Sequence, residues 1–337
     1  MMTADMPLSK AAPRAGRRAR DLLVMGGLLV LFAASFAGLA AATGWADTWA
    51  QVSRLHTWQV GLLLLLSLAN YGLRGLRWHL FSHRLGFGLS LLSDLRHFLG
   101  GFAMTVTPAR VGELVRMRWL AREAGRPAEA AAPLILMDRA GDLAAMAILL
   151  ASGLALTAGG GLTGAPVAVV IALGAAFLAT RPRLLESVVT RAYAAIHRAP
   201  RLFARVRASV RQMERLDDPR ILGPALGLGV LGWFAECWAF HLLLVWMGVD
   251  IGLWHAVAIF VFGALAGGIT GAPGGVGGAE AAMIALLIAA QVPADAAVAA
   301  TAVIRITTLW FALVLGMGVF PFAERLSMKA KNALENN

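Results

Sequence analysis

The chain has 337 residues, of which 59% are hydrophobic and 15% charged, with a formal net charge of +11 and a mean hydropathy of +0.71. A soluble domain of this length cannot hide so much apolar surface in one core, so the composition predicts a multi-pass membrane protein. The basic excess sits beside apolar runs, which favours a membrane-topology role and argues against nucleic acid as a partner.

Residues 1–21 carry Lys10, Arg14, Arg17, Arg18 and Arg20, and the positive-inside rule assigns this tail to the cytoplasm. A first span is expected at 22–44, too long for a signal h-region and therefore a retained anchor. A second, at 57–80, ends in Arg74, Arg77 and Arg84, all assigned to the cytoplasmic side. Residues 97–107 are apolar but stop at Thr107-Pro108. The pattern resumes at 111–120, with Arg116, Arg118, Arg122 and Arg126 at or beyond its end. Eleven helical residues rise only about 16 Å, roughly half a bilayer, which predicts a re-entrant hairpin from the cytoplasmic side.

Spans three and four are expected at 131–157 and 165–180. The arginine-rich stretch 181–220 has apolar residues at helical spacing and predicts one amphipathic helix on anionic inner-leaflet lipids; a solvated linker helix fits the same pattern. Span five, 221–247, contains the lone Cys237, which can form no internal disulfide and is expected to be buried. A second broken segment covers 254–291 around Gly271-Ala272-Pro273-Gly274-Gly275 and reads as a hairpin from outside. Span six, 295–320, leads to a cytoplasmic tail at 323–337. The expected fold is all-α, with about six spans and two re-entrant hairpins in one membrane domain, 22–322, of the inner membrane.

The broken segments resemble each other. Val111 and Gly112 follow Pro108 by three and four positions, as Val276 and Gly277 follow Pro273. Glu113 and Glu280 come next, and Arg139 and Arg305 lie 31 and 32 positions after their prolines. Repeat one, 57–157, and repeat two, 221–320, have opposite predicted orientations. Paired interrupted helices in an inverted repeat point to a transporter's central site.

Charges within apolar segments pair or serve function. Asp138 and Asp142 share a helical face, with Arg139 about 100° away. The candidate substrate-binding residues are Arg110, Glu113, Arg139, Asp142, Glu280 and Arg305. Backbone at Pro108, Gly112, Pro273, Gly274, Gly275 and Gly277 would approach the ligand, an anionic headgroup. A structural alternative pairs Glu113 with Arg139 and Glu280 with Arg305. No nucleophile elbow, zincin motif or P-loop is found, so neither metal, cofactor nor catalytic residue is expected.

Thr107-Pro108-Ala109-Arg110-Val111-Gly112-Glu113-Leu114-Val115-Arg116, then Asp138-Arg139-x-x-Asp142-Leu143, then Pro273-Gly274-Gly275-Val276-Gly277-Gly278-Ala279-Glu280, resemble the lysylphosphatidylglycerol synthase transmembrane-region family of flippase-like membrane proteins. The resemblance covers the chain from span one to span six. Ala109 stands where the family usually has Gly, and Asp138 where it often has Glu. In the namesake this region is joined to an aminoacyl-transferase domain and is held to flip the modified lipid. No such domain precedes Asn337, so the resemblance implies translocation of an anionic or isoprenoid lipid rather than lysine transfer. Related stand-alone members serve cardiolipin, hopanoid or polyprenyl-glycolipid pathways. Two alternatives stay open: a non-catalytic subunit docking a lipid-modifying or glycosyltransferase enzyme through 181–220, and an integral-membrane lipid transferase. A homo-oligomer is compatible with each.

Overall fold

A computed structural model describes residues 45–105, 107, 112–157, 181–196 and 200–336, with isolated positions at 30, 167, 170, 171, 173, 174 and 177. Most of the first and fourth expected spans, and Pro108 and Arg110, lie outside the described residues. Among those described, all regular structure is helical. Three helical stretches, Thr57–Arg84, Pro219–Trp246 and Ala294–Glu335, are long and apolar enough to cross a bilayer, and Leu253–Ile269 and Gly278–Ala289 are shorter and equally apolar. The protein is an all-α, multi-pass membrane protein.

Helix α1 (Trp45–Ser53) precedes α2 (Thr57–Arg84). Helix α3 (Leu91–Gly101) is N-capped by Ser90, whose hydroxyl accepts the Ser93 N–H, and ends in a 3-10 turn at Phe102–Met104. Helix α4 (Val115–Ala124) stops at Gly125, whose φ of +62° suits a residue without Cβ. Helix α5 (Ala132–Leu156) starts with proline in its first turn, where the missing N–H costs nothing. Its 25 residues span about 37 Å, but Asp138, Arg139 and Asp142 interrupt the apolar face.

The basic segment forms two packed helices, α6 (Pro182–Ile196) and α7 (Pro200–Gln212), then a 3-10 turn at Met213–Leu216. A single helix was expected there; Pro200 opens the second, since proline suits a first turn and breaks an interior. Helix α8 is Pro219–Trp246. Helices α9 (Leu253–Ile269) and α10 (Gly278–Ala289) pack together as a hairpin around a 3-10 turn at Pro273–Gly275. At about 26 and 18 Å both are shorter than the ~30 Å hydrocarbon core. Helix α11 (Ala294–Arg305) passes through a π-helical turn, Ile306–Trp310, into α12 (Phe311–Glu335). The expected tail is therefore the last part of a helix that packs on α3 and α4.

Two apolar clusters fill the interior. One joins Tyr71, Trp78 and Phe81 of α2 to Phe98, Leu134, Met137 and Met213. The other joins Leu63 to Leu149, Phe240, Leu244, Ile259, Leu287 and Ile304. Helices α2, α5 and α8 run through both clusters. On α5, Asp138 and Asp142 lie where one cluster gives way to the other, and Arg74 and Arg77 stand beside Tyr71 and Trp78 on α2.

Candidate functional site

Arg74 and Arg77 are spaced i, i+3 on α2, and Asp138 and Asp142 are spaced i, i+4 on α5, so each pair occupies one face of its helix. Packing α2 against α5 sets these faces together. Arg77 Nη2 donates to Asp138 Oδ1 and to Asp142 Oδ1, each at 2.6 Å. Arg74 Nη2 donates to Asp142 Oδ2 at 2.6 Å, and the Trp233 indole N–H from α8 reaches Asp142 Oδ1 at 3.2 Å. Asp142 thus receives three donors from two neighbouring helices. Gly141 and Gly229 make room for the Arg77 guanidinium: a Cβ would meet Nη1 at 3.0 Å on the first and 2.8 Å on the second.

These arginines are buried side-chain partners of α5, a role their reading as topology markers left out. Arg77 is fully buried and Arg74 is 6% exposed. The positive-inside rule counts arginines without asking which face of a helix they occupy, so two internal counter-ions were taken for topology markers. The spacing that matches Asp138 and Asp142 was the available signal. Arg116, also read as flanking charge, is likewise fully buried. Trp233 also serves the network as a hydrogen-bond donor.

Next to this centre, Glu113 follows the first helix break. Its carboxylate accepts the Thr105 hydroxyl at 2.9 Å and forms a short hydrogen-bonded ion pair with Arg139 of α5. Arg116 Nη2 lies 3.4 Å from Glu113, and Arg139 Nη1 lies 3.8 Å from Asp142. The Thr107 hydroxyl accepts the Gly112 N–H at 2.7 Å and closes the turn that carries Glu113.

The second break repeats the plan. Glu280 lies in the first turn of α10 and accepts the Gly277 N–H at 2.7 Å. Arg305, the last residue of α11, donates from Nε to Glu280 at 2.6 Å and from Nη2 to the Gly274 carbonyl at 2.9 Å. Gly274, Gly275 and Gly277 have φ of +63°, +68° and +88°, a region open to glycine. Of Pro273 only the backbone is described.

The two glutamate–arginine pairs span 26 and 25 positions. The two pairings that the structural alternative required are both present. They differ in access: the Arg139 side chain is 34% exposed, that of Arg305 only 10%. One turn of α2 connects them, because Tyr71 donates to the Thr308 carbonyl at 2.5 Å in the π-helical turn while Arg74 holds Asp142. A π turn of this kind frees carbonyls from the helical ladder and recurs at functional sites.

A cavity of about 280 Å³ between α5 and α8 is bounded by Phe81, Met137, Ala144, Ile148, Phe177 and Leu222, with Gly141 in its wall and Arg181 at its edge. None of the five described candidate binding residues lines it. Among the described residues no group of His, Cys, Asp and Glu is arranged to hold a metal ion, and Cys237 is free and buried.

The family model described as the lysylphosphatidylglycerol synthase TM region matches residues 22–316. The chain belongs to this family. It is also 32% identical over 95 residues to a "UPF0104 membrane protein" of Methanothermobacter thermautotrophicus, a stretch covering 28% of each chain. The chain thus matches less than a third of that relative's length. Both glutamate–arginine pairs and the α2–α5 network fall inside the family match. What matches is the synthase's membrane region, a non-catalytic unit distinct from its aminoacyl-transferase domain.

Proposed function

We propose that this protein translocates a lipid with an anionic headgroup, phospholipid or polyprenyl-linked, between the leaflets of the inner membrane. The observation that carries the reading is the recurrence of one glutamate–arginine pair beside each interrupted helix, in a chain of the lysylphosphatidylglycerol synthase membrane-region family. Buried ionic groups at helix breaks are costly in hydrocarbon and mark translocation paths. In this reading Arg110, Glu113, Arg139, Asp142, Glu280 and Arg305 form the headgroup path, and Arg139, more accessible than Arg305, makes first contact. The α3–α4 and α9–α10 hairpins are re-entrant, belong to opposite halves of an inverted repeat among six spans, and rock to alternate access. Both termini face the cytoplasm, where α6 and α7 lie on anionic lipid.

The test is leaflet-resolved movement of headgroup-labelled lipids in proteoliposomes, comparing wild type with Arg139→Ala and Glu280→Ala proteins that remain monodisperse. Loss of movement in both supports the path. A wild-type protein that moves neither phosphatidylglycerol nor a polyprenyl phosphate overturns it in favour of a subunit docking a partner enzyme through the basic α6–α7 pair.

A further inference from the structure

Arg116 is an unusual buried cation. It is fully buried, and its guanidinium carbon lies 4.6, 5.3 and 5.6 Å from the ring centroids of Phe98, Phe102 and Trp78. None of its side-chain nitrogens makes a hydrogen bond. The nearest carboxylate oxygen, Glu113 Oε2, lies 3.4 Å away. That same oxygen is hydrogen-bonded to Arg139, whose side chain is 34% exposed against 1% for Arg116. The carboxylate thus stands between two arginines and gives its hydrogen bond to the more accessible one. Aromatic faces offset part of the burial cost of Arg116, but a buried cation gains most from a hydrogen-bonded anion.

Among the described residues, the ion pairs linking these groups set four guanidiniums (Arg74, Arg77, Arg116, Arg139) against three carboxylates (Glu113, Asp138, Asp142). One further negative charge would balance the linked set. The position where an anion can arrive is Arg139.

We infer that the site works by counter-ion exchange: a singly charged phosphodiester headgroup takes Arg139, and Glu113, released from it, closes onto Arg116. This rests on the lipid-translocation reading and names its headgroup class. From 3.4 Å, Glu113 needs to move by only about 0.6 Å to reach a charge-assisted hydrogen-bond length of ~2.8 Å from Arg116. After the exchange every guanidinium of the linked set has a counter-ion of its own. Phosphate oxygens match the Arg139 fork as carboxylate oxygens do. Arg116 is therefore a positioning residue: it touches no headgroup, and it sets how readily Glu113 gives up Arg139.

The exchange is tested by equilibrium binding of short-chain phosphatidylglycerol to the detergent-solubilised full chain, with short-chain phosphatidylcholine and tail-free glycerophosphoglycerol as comparison ligands. Arg116→Met fills the aromatic cage with an apolar chain and denies Glu113 its second partner, so phosphatidylglycerol affinity falls about tenfold or more. Adding Glu113→Gln to Arg116→Met frees Arg139 and restores affinity to within about threefold of wild type. Should Arg116→Met fail to fold, Glu113→Gln alone decides, because unmasking Arg139 raises affinity where loss of a ligand residue would lower it.

An Arg116→Met protein that binds like wild type, or a Glu113→Gln protein that binds more weakly, overturns the exchange. Equal affinity for phosphatidylcholine overturns the single-charge argument. Equal affinity for tail-free glycerophosphoglycerol keeps the exchange and makes a free phosphodiester its ligand. Failure of wild type to bind phosphatidylglycerol overturns this inference alone, since lipid movement in proteoliposomes tests the translocation reading separately.

Discussion

Replacing Glu280 by Gln removes the carboxylate that Arg305 Nε reaches at 2.6 Å and leaves a guanidinium only 10% exposed without its counter-ion. Breaking one side of a buried ion pair costs about 3–5 kcal/mol, most of it the uncompensated charge. The amide oxygen of Gln can still accept the Gly277 N–H, so the loop's contact with α10 survives and the loss isolates the charge. Adding Arg305→Met removes the stranded cation and strands only the Gly274 carbonyl, a penalty of about 1–3 kcal/mol. The double variant is therefore more stable than Glu280→Gln alone, by about 2 kcal/mol at the centre of these ranges. The assay is a reversible SDS titration in mixed micelles, followed by tryptophan fluorescence, on wild type, both single variants and the double. A Glu280→Gln cost below about 1 kcal/mol, or strictly additive singles, would refute the assignment of this pair as a buried, mutually dependent unit.

Gly229→Ala would push a methyl group to 2.8 Å from Arg77 Nη1 and 3.3 Å from Ala145 Cβ; the same titration is expected to show a loss of about 1–3 kcal/mol. Tyr71→Phe deletes the 2.5 Å bond to the Thr308 carbonyl, with an expected cost of about 1–2 kcal/mol and faster amide exchange through the π-helical turn. Burial raises the carboxyl of Glu123, at the polar end of α4 outside the spanning segments, but the His97 ring 3.1 Å away and the Arg96 guanidinium hold it below the usual range. Its contribution to stability is therefore present above the unfolded carboxylate pKa and is lost as pH falls through the folded value. Glu123→Gln is expected to flatten the acid limb of a pH-stability profile, and an unchanged limb would contradict that linkage.

The helix breaks were legible because proline and glycine act through the local backbone. Pro273, Gly274, Gly275 and Gly277 end one helix and start another, and the hairpin of α9 and α10 follows. The similar spacing of Glu113 to Arg139 and Glu280 to Arg305 was also on the page, and both pairs form. The inward-facing roles of Arg74, Arg77 and Arg116 were missed for one reason. Each stands near the end of an apolar run, and a flanking arginine and an inward-facing one look alike until the neighbouring helix is known. The division of the basic segment into α6 and α7 was signalled by Pro200 and outweighed by the continuity of its arginines.

Composition and periodicity by themselves determined a multi-pass helical membrane protein with two interrupted segments, because hydrocarbon requires backbone groups to be satisfied within helices. Tertiary structure decided which charges are internal. Asp142 receives Arg74 and Arg77 from α2 and Trp233 from α8, groups 68, 65 and 91 positions away in the chain. A charge in a low-dielectric interior is stable only beside its partner. Partners that far apart in sequence are chosen by the packing of helices, which no local pattern records.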